Sequence, residues 1–281
     1  MIKKPFSEDQ AMGMLVGLAV GDALGAAVEG KTRGSFSEID DMIGGGRHTL
    51  CPGQWAEATS MAMCLAQMLR SANGWDVEDA MKRFINWRDY GYLSSKRVCF
   101  GMGPQTENAL RRYEKTGVPY AGVTDESENG NSGIMRLAPV VLAYGASKES
   151  AMAVAQLQSR ITHASPLCQR AAANIAQFLV TGDRSLLPVP DEPPEEASDD
   201  VMGTFHAAFW ALGQGSTFKS TLLAAVNLGG DADRIGAVTG QIAGRIYGYE
   251  AIPGAWRVIL HDHDKIKKAA EDLHVMRPID M

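Results

Sequence analysis

Two glycine-rich stretches decide the fold of this chain: residues 13–25, GMLVGLAVGDALG, and residues 236–244, GAVTGQIAG. In each stretch a glycine recurs at every fourth position within an otherwise apolar, helix-like pattern. A glycine in a helix interior costs about 1 kcal/mol relative to alanine, so a regular series of them indicates a structural reason. Residues four apart lie on one face of a helix. The spacing therefore predicts two helices that cross closely at the centre of a bundle.

Helical periodicity extends over most of the chain outside these two stretches. Helices are predicted over residues 8–24, 56–71, 77–90, 104–116, 133–144, 148–160, 166–180, 200–213, 216–226, 234–247 and 264–273. Runs of alternating β-branched residues, which are typical of strands, are absent from the sequence. No repeat of fixed length occurs, which argues against a solenoid. The pattern predicts an all-α fold, with residues 1–281 as a single domain.

Composition and charge exclude several classes of protein. The 281 residues are 45% hydrophobic and 21% charged, which is ordinary for a globular chain and excludes disordered, collagen-like and coiled-coil classes. The formal charge is −6 and basic residues never run beyond a pair, so no binding to a nucleic-acid backbone is expected. No uncharged apolar stretch is long enough to span a membrane. The four cysteines lie far apart without a C-x-x-C pair, and we expect reduced thiols and a cytoplasmic location.

Five segments carry residues that could perform chemistry. The most informative is residues 226–236, VNLGGDADRIG, where Asp231 and Asp233 follow a Gly-Gly turn and open a helix. Such a carboxylate pair either holds a hard cation through oxygen or stabilises the helix N-terminus. The other segments are residues 21–29 with Asp22 and Glu29, residues 53–60 with Glu57, residues 130–139 with Asn131, and residues 161–166 with His163.

Taken together, these segments resemble the ADP-ribosylglycohydrolase family, which includes the dinitrogenase-reductase-activating glycohydrolase, over residues 11–273. The positions that match are Pro52-Gly53, Trp55, Thr59, Gly91-Tyr92-Leu93-Ser94-Ser95, Cys99-Phe100, Met135-Arg136, Thr162-His163 and Asn227 to Asp231. The resemblance implies an all-α orthogonal helical bundle that binds two Mg²⁺ ions and cleaves a glycosidic bond to ADP-ribose. It also implies that the partner is a small-molecule or ADP-ribosylated substrate.

The sequence departs from the family pattern where the metal ions are expected. The family's Thr-Asp-Asp ligands fall on Ala56, Glu57 and Ala58, and its terminal threonine ligand falls on Arg234. Four of the six ligand positions therefore differ, and Glu57 is a lengthened substitute for an aspartate. Two Mg²⁺ ions close together need several carboxylates and near-octahedral oxygen ligands. We expect Arg234 to replace a cation as the partner of Asp231 or Asp233.

Further departures surround the same expected site. An aspartate of the family's C-F-D-I-G block falls on Gly101, and a glutamate falls on His206. We predict a pocket enlarged by small residues, with catalytic roles among Glu57, Asp231, Asp233, Arg234, His48 and His206. Substrate-binding positions implied by the resemblance are Asp22, Glu29, Ala56, Ala58, Gly101, Asn131, Ser132, Gly133, Met135 and His163. Metal ligands, if Mg²⁺ binds, are expected at Asp231, Asp233 and Glu57.

Three functions are compatible with these features. The first is a weakened ADP-ribosylglycohydrolase with one metal ion held by Asp231, Asp233 and Glu57. The second is a non-catalytic ADP-ribose-binding protein. The third is a redirected or redesigned metal-free enzyme in which Glu57, desolvated and with a raised pKa, acts as a general base; Glu57 could equally be a solvated first-turn acid. The sequence favours a family scaffold whose native de-ADP-ribosylation is weak or lost.

Overall fold

The computed structural model describes residues 4–125, 127–186, 189–195 and 197–278. Within these ranges the chain forms helices and no β-strand, and a short 3-10 turn occupies Arg184–Leu186. The helices are α1 (Glu8–Gly25), α2 (Glu57–Ala72), α3 (Val77–Tyr90), α4 (Pro104–Thr116), α5 (Ser132–Met135), α6 (Ala138–Tyr144), α7 (Lys148–Arg160), α8 (Pro166–Thr181), α9 (Val201–Gln214), α10 (Phe218–Val226), α11 (Ala232–Tyr247), α12 (Gly254–Ile259) and α13 (His263–Val275). The all-α class predicted from the sequence is confirmed.

The crossing of α1 and α11 lies at the centre of the bundle. The helices face each other through three glycine pairs: Gly13 with Gly244, Gly17 with Gly240, and Gly21 with Gly236. A Cβ atom on Gly17 would lie 2.4 Å from the carbonyl oxygen of Gly240, and one on Gly240 would lie 2.0 Å from that of Gly17. These distances leave no room for any side chain, so the backbones themselves pack. The close crossing predicted from the four-residue spacing is confirmed.

Local signals in the sequence account for most helix ends. α1 begins with a capping box, in which the backbone N–H of Gln10 donates to Ser7 Oγ at 3.1 Å and that of Ser7 donates to Gln10 Oε1 at 3.0 Å. The structure divides the single helix predicted over residues 133–144 into α5 and α6, because Pro139 cannot continue a helix from the preceding turn. The short α12 was not predicted, since six residues carry too little periodicity.

The loops that carry the expected functional residues lie at one end of the central crossing. The first turns of α2 and α11 contact each other there, through Glu57 and Arg234. The loop before α4 contributes Gly101, and the loop before α5 contributes Asn131. In the described part of the chain, none of the helices has the length and apolar character that crossing a bilayer requires.

Candidate functional site

An arginine lies among the acidic residues that the sequence singles out. Arg234, in the first turn of α11, donates from Nε to Oε1 of Glu57 and from Nη1 to Oδ1 of Asp231 at 3.1 Å. Its Nη2 donates to the carbonyl oxygen of Gly101 at 3.2 Å. The Arg234 side chain is 11% exposed, and Glu57 is fully buried. The guanidinium therefore occupies the space between the two carboxylates.

Glu57 is held at this place by an acid from another helix. Ala56, the residue before α2, has no side chain that could cap the helix. Asp22 of α1 does so instead: Oδ1 accepts from the N–H of Ala56 at 2.9 Å, and Oδ2 accepts from the N–H of Thr59 at 2.8 Å and from its hydroxyl at 2.7 Å. Both oxygens of Asp22, predicted to contact substrate, thus hold the start of α2.

Burial shifts the protonation of the acids around Arg234. Desolvation raises the pKa of Glu57 to about 8, although the Arg234 charge opposes the rise. Desolvation also raises the pKa of Asp231 and of Asp233 to about 6. For Arg234, desolvation disfavours the charged form, but attraction to Glu57 and Asp231 outweighs it and raises the pKa. The guanidinium is therefore a permanent positive charge in this cluster.

The donors around Arg234 do not form the site that two Mg²⁺ ions require. Buried oxygens without a hydrogen-bond partner do occur, on Glu57 Oε2 and Asp233 Oδ1. However, no three His, Cys, Asp or Glu side chains among the described residues are placed to share a metal ion. Oδ1 of Asp231 and Oε1 of Glu57 already accept hydrogen bonds from the Arg234 guanidinium. The positive charge of this guanidinium would repel a metal ion placed between the two carboxylates. The residues present do not fit the metal pair implied by the sequence resemblance.

A second charged contact lies on the loop between α1 and α2. Oε1 of Glu29 is 3.3 Å from Nη1 of Arg47, and its Oε2 is 3.2 Å from Nε2 of His48. The imidazole of His48 also packs against Phe100, with 4.9 Å between ring centroids. Desolvation raises the pKa of Glu29, whose charge also interacts with that of Arg234, and desolvation lowers the pKa of His48. His48 thus lies beside Glu29, although neither Oε2 of Glu29 nor Nε2 of His48 makes a hydrogen bond within the described part of the chain.

A cavity of about 270 Å³ opens beside Arg234. Its wall consists of Gly103, Pro104, Gln105, Thr106, Ser127, Asn129, Gly130, Asn131, Ser132, His163, Asp199, Asp200 and Arg234. Of the residues that the sequence singles out, Asn131, Ser132, His163 and Arg234 thus share one cavity. The amide of Asn131 ties its wall to the charge cluster, because Nδ2 donates to Oδ2 of Asp231 at 2.5 Å and to Thr204 Oγ1 at 2.8 Å.

Other predicted positions serve packing or lie elsewhere. Met135 and Ala58 are fully buried members of the hydrophobic core. A Cβ atom on Gly133 would meet Ser159 Oγ at 2.4 Å, so this glycine permits the close approach of α5 and α7. Nε2 of His206 on α9 lies 3.0 Å from the carbonyl oxygen of Glu192. At these positions the structure has close packing or a backbone contact, and their contact with ligand stays a prediction.

Known proteins resemble this chain along most of its length. The family model described as ADP-ribosylglycohydrolase matches residues 3–187 and 178–279. The chain belongs to the ADP-ribosylglycohydrolase family. Over 303 residues it is 36% identical to the ADP-ribosylarginine hydrolase Tri1 of Serratia proteamaculans (strain 568), covering 99% of this chain and 82% of that protein.

Two further relatives agree with this assignment. The chain is 32% identical over 273 residues to the ADP-ribosyl-[dinitrogen reductase] glycohydrolase of Rhodospirillum rubrum, covering 90% of each. A solved structure described as an ADP-ribosylglycohydrolase-related protein complex superposes with a TM-score of 0.83 at 39% identity, covering 96% of this chain and 98% of that one. The bundle of this ADP-ribosylglycohydrolase family member is thus the family's own fold.

Several residues of the cavity wall were not singled out from the sequence. Oε1 of Gln105 accepts from the N–H of Gly130 at 3.1 Å, and the carbonyl oxygen of Asp199 accepts from the N–H of Asn131 at 3.0 Å. Both therefore shape the loop before α5. The Gly103-Pro104 pair did indicate the start of α4, but a local helix signal does not reveal which distant loop the helix faces.

Proposed function

We propose that this chain binds ADP-ribosyl groups in the cavity beside Arg234 without a divalent metal ion, and that Mg²⁺-dependent de-ADP-ribosylation is weak or lost. The observation that carries this proposal is the Arg234 guanidinium between Glu57 and Asp231. It balances acids that would otherwise repel one another in a desolvated site. The family scaffold is retained around a site held together by an internal cation.

The same guanidinium is available to a ligand. Arg234 lines the cavity and keeps 11% of its side chain exposed. A planar guanidinium suits the oxygen atoms of phosphate groups, and its charge persists at every relevant pH. The relatives are named for ADP-ribosylarginine and for an ADP-ribosylated dinitrogen reductase. These names support an ADP-ribosyl group, free or attached to a protein, as the ligand of this cavity.

A metal-free enzyme with Glu57 as general base is the second function to consider. Burial raises the pKa of Glu57 to about 8, and a pKa near the working pH is what a general base needs. The side chain is nevertheless fully buried, and its Oε1 accepts from Arg234. A ligand reaches this carboxylate only after the guanidinium moves. Binding without this step requires less rearrangement and is the function we favour.

Calorimetric titration of ADP-ribose into the protein tests the proposal, once with excess Mg²⁺ and once with a chelator. We expect the same affinity in both, and little or no release of ADP-ribose from an ADP-ribosylarginine substrate. Binding that disappears in the chelator would contradict the metal-free site. No binding in either condition would contradict the assignment of the ligand.

A matched variant sharpens the experiment. Ala56→Thr, Glu57→Asp, Ala58→Asp and Arg234→Thr together restore the residue types of the family pattern at the ligand positions. We expect this variant to bind Mg²⁺ and to show ADP-ribose affinity that depends on the ion. A variant as indifferent to Mg²⁺ as the parent would show that these four positions do not determine the metal requirement.

We also propose that the chain works as one domain in the cytoplasm. All four cysteines, Cys51, Cys64, Cys99 and Cys168, have free thiols, as is usual in reducing compartments. Limited proteolysis that leaves one resistant core and fractionation that recovers the protein with cytoplasmic markers are the expected results. Two separable fragments or an extracytoplasmic fraction would contradict them.

A further inference from the structure

A buried cation other than Arg234 lies behind the cavity. Arg136, in the short link between α5 and α6, is fully buried and packs over the ring of Phe84 at 4.9 Å from its centroid. Its Nε donates to Gln158 Oε1 at 3.0 Å, and its Nη2 donates to the Gln158 carbonyl at 3.1 Å and to Thr162 Oγ1 at 2.7 Å. Its hydrogen-bond acceptors among the described residues are thus neutral.

The contact with Thr162 favours one direction for the next hydrogen bond. A guanidinium has donors and no acceptor, so Thr162 Oγ1 accepts from Arg136. The hydroxyl proton of Thr162 then needs an acceptor, and Nδ1 of His163 lies 2.9 Å away. If Nδ1 accepts this proton, the neutral imidazole carries its own proton on Nε2.

The surroundings of His163 keep its ring neutral and place Nε2 against Gly130, which lines the same cavity as His163. Desolvation, with added repulsion from Arg136 and Arg234, lowers the pKa of His163 to about 3. The carboxylates of Asp199 and Asp200 line the same cavity without reversing this shift. The ring is 3% exposed, and a Cβ atom on Gly130 would meet its Nε2 at 2.7 Å. Nε2 therefore lies against the loop that forms the cavity wall.

We propose that Arg136 and Thr162 are positioning residues that fix His163 as a neutral imidazole with its proton on Nε2, so that the cavity presents a permanent hydrogen-bond donor. The chain of bonds runs from the Arg136 guanidinium to the Thr162 hydroxyl and from this hydroxyl to Nδ1. In this order Arg136 donates, the Thr162 hydroxyl accepts and donates, and Nδ1 of His163 accepts.

The consequence for the ligand rests on the proposed function. A His163 imidazole that keeps its proton on Nε2 can only donate there. The ligand atom opposite Nε2 should therefore be an acceptor oxygen of the ADP-ribosyl group and not a hydrogen-bond donor. Near pH 7 the site needs no protonation of His163 to do so, and binding through this contact stays constant where a histidine of ordinary pKa would titrate. His163 and Arg234 then provide two fixed donors on the wall of one cavity.

Two-bond ¹H–¹⁵N correlation spectra of the ligand-free protein test the tautomer. We expect His163 to show a protonated Nε2 and a bare Nδ1, unchanged from about pH 5 to about pH 8. A proton on Nδ1, or a ring that titrates in this range, would overturn the proposal. This measurement does not depend on whether ADP-ribose binds.

Two substitutions then test the relay. Thr162→Val keeps the shape and removes the hydroxyl, so we expect mixed tautomers or a ring that titrates at higher pH than in the parent. Thr162→Ser keeps the hydroxyl and is expected to match the parent. A valine variant with the parent's single tautomer would overturn the relay. If this variant does not fold, the serine variant decides, because a Thr162→Ser protein whose tautomer differs from the parent's would overturn the relay.

Binding provides the second readout. With ADP-ribose as the probe, we expect affinity to fall roughly 3- to 10-fold in Thr162→Val, which corresponds to the loss of one neutral hydrogen bond, and to stay near the parent value in Thr162→Ser. Equal affinities in all three proteins would overturn the role in ligand binding. If the parent itself binds no ADP-ribose, the proposed function fails, and the spectra alone decide the tautomer.

Discussion

The crossing of α1 and α11 and the charge cluster at the start of α11 differ in which substitutions they tolerate. Along α1 and α11 the packing is backbone against backbone, and a Cβ atom on Gly240 would lie 2.0 Å from the carbonyl oxygen of Gly17. At the start of α11, by contrast, Arg234 stands where the family pattern has a threonine, and its contacts with Glu57 and Asp231 are complete. At the crossing, no other residue can replace glycine, because there is no space for a side chain. In the charge cluster, a different set of residues can replace the family's set, provided that the buried charges are still neutralised.

Removing the internal cation should have the largest effect on stability. Arg234→Met leaves Glu57 and Asp231 buried without their partner, and breaking a buried ion pair costs about 3–5 kcal/mol. Urea denaturation measures the loss. Arg111→Met is the control, because Arg111 is 70% exposed in its pair with Glu107 and should change the free energy of unfolding by less than about 0.5 kcal/mol. Similar losses in both variants would contradict the importance of the cluster.

Adding a side chain at the crossing of α1 and α11 should have the second-largest effect on stability. In Gly240→Ala the new methyl group forces α1 and α11 apart, and we expect a net loss of about 1–3 kcal/mol despite the better helix propensity of alanine. Gly254→Ala is the matched control, since a Cβ atom there meets nothing within 4 Å. Thermal and urea unfolding of the two variants give the comparison. An alanine at 240 that is as stable as the parent would show that the backbones are not in contact.

Replacing Asp22, the acid of α1 that holds the start of α2, should have a smaller effect on stability. Asp22→Asn places an amide donor opposite backbone or hydroxyl groups that now donate to the carboxylate, so we expect a loss of about 1–2 kcal/mol. The substitution Asp40→Asn, at an exposed aspartate, is expected to stay within about 0.5 kcal/mol of the parent. Equal stabilities of both variants would mean that Asp22 does not hold the start of α2.

The smallest expected effect is the pH dependence of the stability difference between the parent and Asp22→Asn. Desolvation and the nearby Asp233 charge raise the pKa of Asp22 to about 7, so the folded state binds its proton more tightly than the unfolded state. Its contribution to stability is fully present below about pH 4 and is lost as the pH rises through about 7. We therefore expect the free-energy difference between parent and Asp22→Asn to shrink over this range. A difference that grows with pH would contradict a raised pKa.

The sequence predicted features that depend on local pattern. The glycine spacing predicted the central crossing. Asp231 and Asp233 were both expected as partners of Arg234, and the structure has the pair with Asp231 at 3.1 Å. The contact of Arg234 with Glu57 was not predicted, because 177 positions separate the two. The capping of α2 by Asp22 is likewise a contact between distant segments. Such contacts depend on how helices pack, which no local signal in one sequence reports.

The chain from Arg136 to His163 shows the same limit. From the sequence, Thr162-His163 was a match to the family pattern and His163 a substrate-binding position. The buried guanidinium that fixes the direction of the bonds comes from another loop. The direction of these hydrogen bonds can therefore be assigned from the folded structure and not from the sequence.

The most direct test of the central claim is a crystal structure of the protein grown with excess Mn²⁺, with anomalous scattering measured at a wavelength where manganese scatters strongly. The account predicts guanidinium density between Glu57 and Asp231 and no anomalous peak within coordination distance of either carboxylate. An anomalous peak bound by these two acids, with the Arg234 side chain displaced from them, would contradict the claim that Arg234 takes the place of a metal ion.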